Sequence, residues 1–378
     1  MKILTIFIDM VRANRLKLFQ PSITTKNKLS NYLESLGGTV FSNFITPGPD
    51  TARAMSAYFT GKDPWENGCD TRDKLPIAFL DKNLKTNIDL FEEYKYRQLF
   101  FSDPNGRIFL FPKEYTSHQY NNDLKLSNFL EDINLSGNCH LFIGLSDFHW
   151  GLDDLGANLL GEKLGYSKTV NSLSILFDKF DPDTFDQIII FSDHGFKFSN
   201  EYKKQKKVNK LYLHNEDRIR PILFVRKKNQ NCINYENRLI SLADINAIYK
   251  NILEKKVGNL FDIPKRNYIC FEDHIDFGYS DFMYTEVFGL VNKDHLYIRN
   301  FDYCLTLNRE GKFIATGANS KYDHILKNQT TFGRKLNYLK KVPKMYKSIC
   351  NPDFYSDGSR RIIKRYAIRN KLLRILKR

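Results

Sequence analysis

The chain has 378 residues, 42% of them hydrophobic and 14% aromatic, and carries a formal net charge of +15. That length and apolar content suffice for a substantial core and exclude an intrinsically disordered chain, while no run approaches the roughly 18 apolar residues a membrane-spanning helix needs. Cys69, Cys139, Cys232, Cys270, Cys304 and Cys350 lie far apart without a CxxC pair, which argues against a zinc ribbon or disulfide framework and for buried reduced thiols.

In chain order, MKILTIFIDM opens with a short apolar run that stops at Asp9 and lacks a small-residue cleavage site. It predicts a first strand rather than a signal peptide, and so a cytoplasmic location. Apolar runs at Gln98–Phe101, Leu141–Leu145, Gln187–Phe191 and Ile222–Val225 predict further strands. Amphipathic stretches at Lys26–Leu36, Asn87–Tyr94, Leu124–Ile133, Asp154–Phe180 and Arg238–Glu254 predict helices. This alternation predicts an α/β fold: a mostly parallel central sheet with helices on both faces. Beyond about Tyr268, VFGLVNKDHLYIRN and YCLTLNREGKFIAT predict antiparallel hairpins, with Arg309–Lys312 as a turn. The expected organisation is a catalytic domain over 1–267, a small C-terminal antiparallel subdomain over 268–350 and a basic tail over 351–378.

Three of the predicted strands run into acids: ILTIFI into Asp9, LFIGLS into Asp147, and QIIIFS into Asp193 followed by His194 and Gly195. Ligands of open α/β sheets sit beyond the carboxyl ends of the strands. Three carboxylates converging there with an imidazole require a cation to offset their repulsion and desolvation. Oxygen and nitrogen donors in this mix suit Zn²⁺, Mn²⁺ or Mg²⁺. Any one of these acids alone reads more simply as the cap of the following turn; the three together point to a metal.

In TPGPDTARAMSAYFTGKDPWENG, the segment Pro47-Gly48-Pro49 predicts a turn ahead of a helix starting near Thr51. A hydroxyl in the first turn of a helix faces unpaired N–H groups and the positive end of the dipole, a suitable place for a phosphate or sulfate group. The stretch resembles the nucleophile motif of sulfatases and related phosphotransferases of the alkaline phosphatase superfamily, whose nucleophile stands nine positions before a Thr-Gly pair; here Thr60-Gly61 places it on Thr51. GKDPWENG is similar to the Gly-x-x-Pro-x-x-x-Gly continuation, IFIDMVRANRL to the first strand and metal-binding acid, and FSDHGF to the Asp-His-Gly motif. RIRPILFV and SLADINAIYKNIL resemble the strand and the Asp-containing helix that follow.

The resemblance implies an alkaline phosphatase-like fold and a metal-dependent enzyme with Thr51 as nucleophile. Asp9, Asp193, His194 and the Thr51 oxygen would hold the ion, with Asp147 as a further candidate ligand, and one ion is expected ahead of two. His149 is expected to contact substrate, protonate the leaving group or hold a second ion. His214 is a candidate to face the transferred group. Arg53 is a candidate to bind phosphate oxygens, and Arg12 either to do the same or to pair with Asp9.

Two departures carry information. Sulfatases make formylglycine by oxidising Cys or Ser at the nucleophile position, a route closed to Thr51, and they commonly have paired acids after the first strand, where this chain has Met10. Phosphoglycerol and phosphoethanolamine transferases of the superfamily use Thr. The expected function is therefore phosphotransfer from a phosphorylated donor to a glycan or small-molecule acceptor, in capsule, lipopolysaccharide or teichoic-type glycan biosynthesis. The alternative is a phosphomonoester or phosphodiester hydrolase of the same superfamily.

Nine basic residues and no acid occupy 359–378, interleaved with Ile362, Ile363, Tyr366, Leu372, Leu373, Ile375 and Leu376. That amphipathic basic pattern predicts peripheral association with an anionic membrane surface. Docking on the body or on another subunit is the next reading, and nucleic acid the least expected.

Overall fold

A computed structural model describes residues 1–25, 27–69, 83–102, 125–198, 215–254, 262–275, 285–300 and 304–333. They form two compact units, one drawn from Met1–Lys203 and Glu216–Ile269 and the other from Cys270 onward.

The first unit is built on seven strands: β1 (Lys2–Ile8), β2 (Gly38–Ile45), β3 (Arg97–Ser102), β4 (Cys139–Leu145), β5 (Gln187–Phe191), β6 (Leu223–Lys227) and β7 (Ile233–Ser241). Their order is β3-β4-β1-β5-β6-β2-β7. All pairings are parallel except those of β6, which runs against both β5 and β2. The sheet is thus mostly parallel, as the sequence predicts.

The helices are α1 (Lys28–Leu36), α2 (Thr51–Thr60), α3 (Pro64–Asn67), α4 (Asn87–Glu93), α5 (Leu126–Glu131), α6 (Asp147–Leu155), α7 (Leu159–Lys179), α8 (Glu216–Ile219) and α9 (Ile245–Leu253). They cover both faces, and strand alternation shows it. Leu4, Ile6, Ile8, Leu141, Ile143, Ile188 and Ile190 pack into one core with residues of α1, α5, α6 and α7. Ile3, Phe7, Phe142, Ile189 and Phe191 point into a second core with residues of α2, α4 and α9. Strands buried on both faces read as continuous apolar runs, which is why β1, β4 and β5 stand out in the sequence.

Register sets where these strands end. Ile8 pairs with Leu145 and Phe7 with Phe191, so Asp9, Asp147 and Asp193 leave the sheet at one edge.

Three local features differ from the sequence reading. Over 238–254 the chain is first strand, then the turn Leu242–Asp244, and helical only from Ile245. Ser241 and Asp244 form a capping box at the switch, and such a box opens a helix rather than occupying its middle. The single helix predicted over 154–180 is two, because Gly156 adopts φ +85° and Asn158 caps α7 by accepting from Leu160 and Gly161 N–H at 2.8 and 3.2 Å. Among the described cysteines, all free, Cys232 is exposed rather than buried.

The second unit holds β8 (Tyr268–Ile275), β9 (Thr285–Asn292), β10 (His295–Arg299), β11 (Cys304–Asn308) and β12 (Phe313–Thr316), in the order β12-β11-β10-β9-β8, with α10 (Ser320–Gln329). β10 is antiparallel to β9 and β11, and β11 to β12. Gly311, at φ +78°, closes the β11–β12 turn. Among the described residues no helix is long and apolar enough to cross a membrane. The basic tail lies outside the described residues.

Candidate active site

The loop before α2 is tied down at several points. Thr46 Oγ1 donates to the Gly48 carbonyl at 3.1 Å, and Arg218 donates to the Pro49 carbonyl at 3.0 Å. Asp50 is the N-cap of α2, accepting from the Arg53 backbone N–H at 3.1 Å and from Arg53 Nε at 2.5 Å. A Cβ at Gly48 would stand 2.5 Å from that of Arg53, so this turn needs glycine. Thr51 is then the first residue of the helix. The continuation is punctuation: Gly61 (φ +66°) ends α2, Pro64 opens α3, and Gly68 (φ +89°) ends it.

Asp9, Asp193 and His194 are all buried, and one ligand atom from each lies within 4.8 Å of the others. Oδ1 of Asp193 accepts from Met10 N–H at 3.1 Å and His194 N–H at 2.8 Å. Its Oδ2, and Oδ1 of Asp9, have no hydrogen-bond partner. Nδ1 of His194 is 2.8 Å from the Gly195 carbonyl, which only accepts. Nδ1 therefore carries a proton, and Nε2 faces Asp193 Oδ2 at 3.3 Å and Thr51 Oγ1 at 3.4 Å. Burial pushes the Asp193 carboxyl up to about 6 against the pull of His194, and the Asp9 charge adds to the rise. Two partnerless buried carboxylate oxygens and an imidazole lone pair are the donor set of a divalent cation, and the residues fit one.

Two backbone features complete this cluster. Met10 adopts φ +66°, a left-handed conformation uncommon for a side chain of its kind; in that geometry its N–H reaches Asp193. At Gly195 a Cβ would lie 1.9 Å from the Asp217 carbonyl oxygen, so the third position of Asp-His-Gly admits only glycine. Read for side chains, the sequence marks Met10 only as a missing acid.

The other candidates are distributed as follows. His149, on α6 and with its side chain 43% exposed, places Nδ1 at 2.9 Å from Asp9 Oδ2 and Nε2 at 3.7 Å from Asp153. The hydrogen bond to Asp9 raises its pKa to about 9, against the opposing effect of burial. Asp147 begins α6 and stands apart from the three-residue cluster. Arg53 is fully buried and paired with Asp50. Arg12, also buried, donates to the Phe196 carbonyl at 3.0 Å and to Glu162 at 3.2 Å, lies 3.4 Å from Asp217, and stacks over the rings of Phe196 and Phe198. These contacts tie Arg12 to Glu162 and Asp217 rather than to Asp9. His214 lies outside the described residues.

The sequence matches no protein-family model and no curated protein. Solved structures are similar. A 2-O GAG sulfatase superposes with a TM-score of 0.60 at 15% identity, over 92% of this chain and 93% of that one. A protein in the alkaline phosphatase superfamily from Vibrio parahaemolyticus superposes with a TM-score of 0.59 at 13% identity, over 90% and 87%. The chain has the alkaline phosphatase-like fold. A third structure with this fold, the phosphonate monoester hydrolase of Agrobacterium radiobacter, superposes with a TM-score of 0.54 at 11% identity, over 90% of this chain and 95% of that one. In this chain's version of the alkaline phosphatase-like fold, the cluster stands at the C-terminal ends of β1 and β5, and Thr51 is brought to it by α2.

Proposed function

We propose that the chain is a metal-dependent enzyme of the alkaline phosphatase superfamily that moves a phosphoryl-linked group through Thr51. The observation that carries this is the 3.4 Å between Thr51 Oγ1 and Nε2 of His194, beside two partnerless carboxylate oxygens. Asp9, Asp193 and His194, with the Thr51 oxygen, would hold a divalent cation, here Zn²⁺, Mn²⁺ or Mg²⁺, one ion rather than two. When bound, such an ion supplies Lewis acidity that lowers the pKa of a nearby hydroxyl and offsets anionic charge.

The chain's own residues do the rest. Thr51 Oγ1 forms a bond to phosphorus as the bond from phosphorus to the leaving oxygen breaks, and the hydroxyl proton passes to solvent. His149, anchored through Nδ1 to Asp9, is placed to give its Nε2 proton to the leaving oxygen. An acceptor hydroxyl then attacks the phosphothreonine from the opposite side and gives its proton to His149, the bond from phosphorus to Thr51 Oγ1 breaks, and Oγ1 regains a proton from solvent. The Asp50–Arg53 pair holds the first turn of α2 in place.

We read the acceptor as a glycan or small-molecule hydroxyl and the donor as a phosphorylated compound, in the assembly of a surface glycan. The similar structures include a 2-O GAG sulfatase and one bound to its substrate D-glucosamine-2-N,6-O-disulfate, which supports a sugar in the site. Sulfate-ester cleavage by the usual sulfatase route does not fit Thr51. Hydrolysis, with water in place of the acceptor, is the second reading, supported by the similarity to a phosphonate monoester hydrolase. The basic tail would hold the enzyme on an anionic membrane surface; a chain truncated at 350 should then leave anionic vesicles with turnover unchanged.

Release of p-nitrophenol from its phosphate monoester, a phosphodiester and the sulfate ester, with each cation and with or without added alcohols, tests the assignment. Phosphate-ester turnover that alcohols accelerate is expected, with none in Thr51→Ala. Turnover retained by Thr51→Ala, or confined to the sulfate ester, overturns it; phosphate-ester turnover indifferent to alcohols decides for the hydrolase.

A further inference from the structure

The face of α2 that carries Thr51 also carries Tyr58, seven residues or two turns later. Tyr58 is buried in a largely apolar core between α2, α9 and the sheet. Its ring stacks on Phe191, the last residue of β5 and two before Asp193, with centroids 4.6 Å apart and planes at 22°. Its hydroxyl is 2.9 Å from that of Tyr249 on α9. The Tyr249 hydroxyl is 2.6 Å from Oγ1 of Thr5, on β1 four residues before Asp9, and Thr5 in turn is 3.0 Å from His140 Nε2 on β4. One side chain thus ties the helix bearing Thr51 to both strands that deliver the acids of the cluster.

Apolar packing alone tolerates small slides of a helix over a sheet. A chain of hydrogen bonds in a dry interior does not, because any slide leaves polar atoms unpaired where water cannot replace them. Resting on Thr51 as the nucleophile, we infer that the buried hydroxyl chain Tyr58–Tyr249–Thr5 is a positioning device that fixes the Thr51 oxygen relative to Asp9, Asp193 and His194. Tyr58 and Tyr249 are positioning residues; neither touches the reacting atoms. Phe at either position keeps the ring and its packing while removing the Tyr58–Tyr249 link.

The test uses the full-length protein carrying Tyr58→Phe, Tyr249→Phe or both, below the unfolding temperature of each. It measures turnover of p-nitrophenyl phosphate, Mn²⁺ affinity by titration calorimetry, and amide hydrogen exchange across Thr51–Thr60. Each single variant should lose about tenfold in kcat, as a reacting group displaced by a fraction of an ångström does, with KM changed less than about twofold and Mn²⁺ affinity falling far less than kcat, since Asp9, Asp193 and His194 stay in place. Exchange in α2 should speed up. The double variant should be little worse than either single one, since each single change already removes the Tyr58–Tyr249 bond. Wild-type kcat in both single variants, losses that multiply in the double variant, or a parallel loss of Mn²⁺ affinity each overturn the proposal while Thr51→Ala is inactive. Turnover persisting in Thr51→Ala brings down the nucleophile assignment as well, by a result the tyrosine variants do not produce.

Discussion

The Thr51 hydroxyl lies 3.4 Å from Nε2 of His194, whose ring is oriented by the Nδ1 hydrogen bond to the Gly195 carbonyl. That orientation points Nε2 at the spot where the partnerless oxygens of Asp9 and Asp193 also converge, and there it can ligate a cation once it gives up any proton. The proposed chemistry starts from this geometry.

The first prediction concerns the ion itself. Asp193→Asn replaces the partnerless Oδ2 by a group with less charge and leaves the rest of the buried cluster in place. Divalent-cation affinity should fall by at least about 100-fold, more than loss of an outer-shell partner usually costs. Wild-type protein at a cation concentration of about 100 times Kd should gain about 2.7 kcal/mol of stability, removed by chelator, and the variant should gain little at the same concentration. Thermal melts with and without chelator read both. Equal stabilisation of the two proteins would take Asp193 out of the metal site.

Gly195→Ala should damage the same site through the backbone. Its Cβ would meet the Asp217 carbonyl oxygen at 1.9 Å and Arg12 Cβ at 2.9 Å, and a carbonyl held in a packed loop cannot rotate away as a flexible side chain would. A cost of about 1–3 kcal/mol is expected, together with weaker cation binding because His194 and its Gly195 partner must move. Urea titration and calorimetry check the two effects. Unchanged stability and affinity would mean that the Asp217 loop yields freely.

Much of this was legible before the structure. Buried on both faces, β1, β4 and β5 are unbroken apolar runs, and their terminal acids are conspicuous. β2 and β7 are not, since GTVFSNFI and INYENRLIS mix polar residues into strands at the side of the sheet, where Tyr235 is 53% exposed. The strand-to-helix switch at Ser241 is hidden because Leu239 and Ile240 also suit the helical period of the residues after them. Asp147 shares a sheet edge with Asp9 but enters a helix at once, and strand-end position alone does not tell a ligand from the first turn of α6. Arg12 could not be placed from sequence either, because Glu162 and Asp217 lie 150 and 205 positions away.

Arg12 gives the third prediction. Its buried guanidinium faces the buried Glu162 and the partly shielded Asp217. Burial raises the Asp217 carboxyl, but Lys197 and Arg12 outweigh this and hold it below its ordinary range. Arg12→Met removes one cation from a network in which Glu162 keeps Arg15 and Asp217 keeps Lys197, at a cost of about 1.5–3 kcal/mol by urea unfolding. Arg12→Lys should recover only part of this, since an ammonium cannot serve two acids, a carbonyl and two aromatic rings at once. An Arg12→Met protein within about 1 kcal/mol of wild type but with a raised KM would instead make Arg12 a substrate-binding residue.

The fourth prediction follows from His140, fully buried on β4. It stacks on Phe91 with centroids 3.9 Å apart and accepts or donates at Nε2 to Thr5 at 3.0 Å. Burial lowers its pKa from 6.5 to about 3. The unfolded chain therefore takes up a proton as pH falls below 6.5, while the folded protein refuses it until about 3. The contribution to stability is complete above 6.5 and is lost progressively as pH falls toward 3, with a slope of up to about 1.4 kcal/mol per pH unit from this one group. His140→Gln cannot titrate and can still reach Thr5. It should be less stable than wild type near pH 7, because the stack on Phe91 is lost, and the gap should narrow steadily on acidification. Urea unfolding of both proteins between pH 7 and 4.5 measures this, and parallel stability curves would show that His140 is protonated in the folded core without penalty.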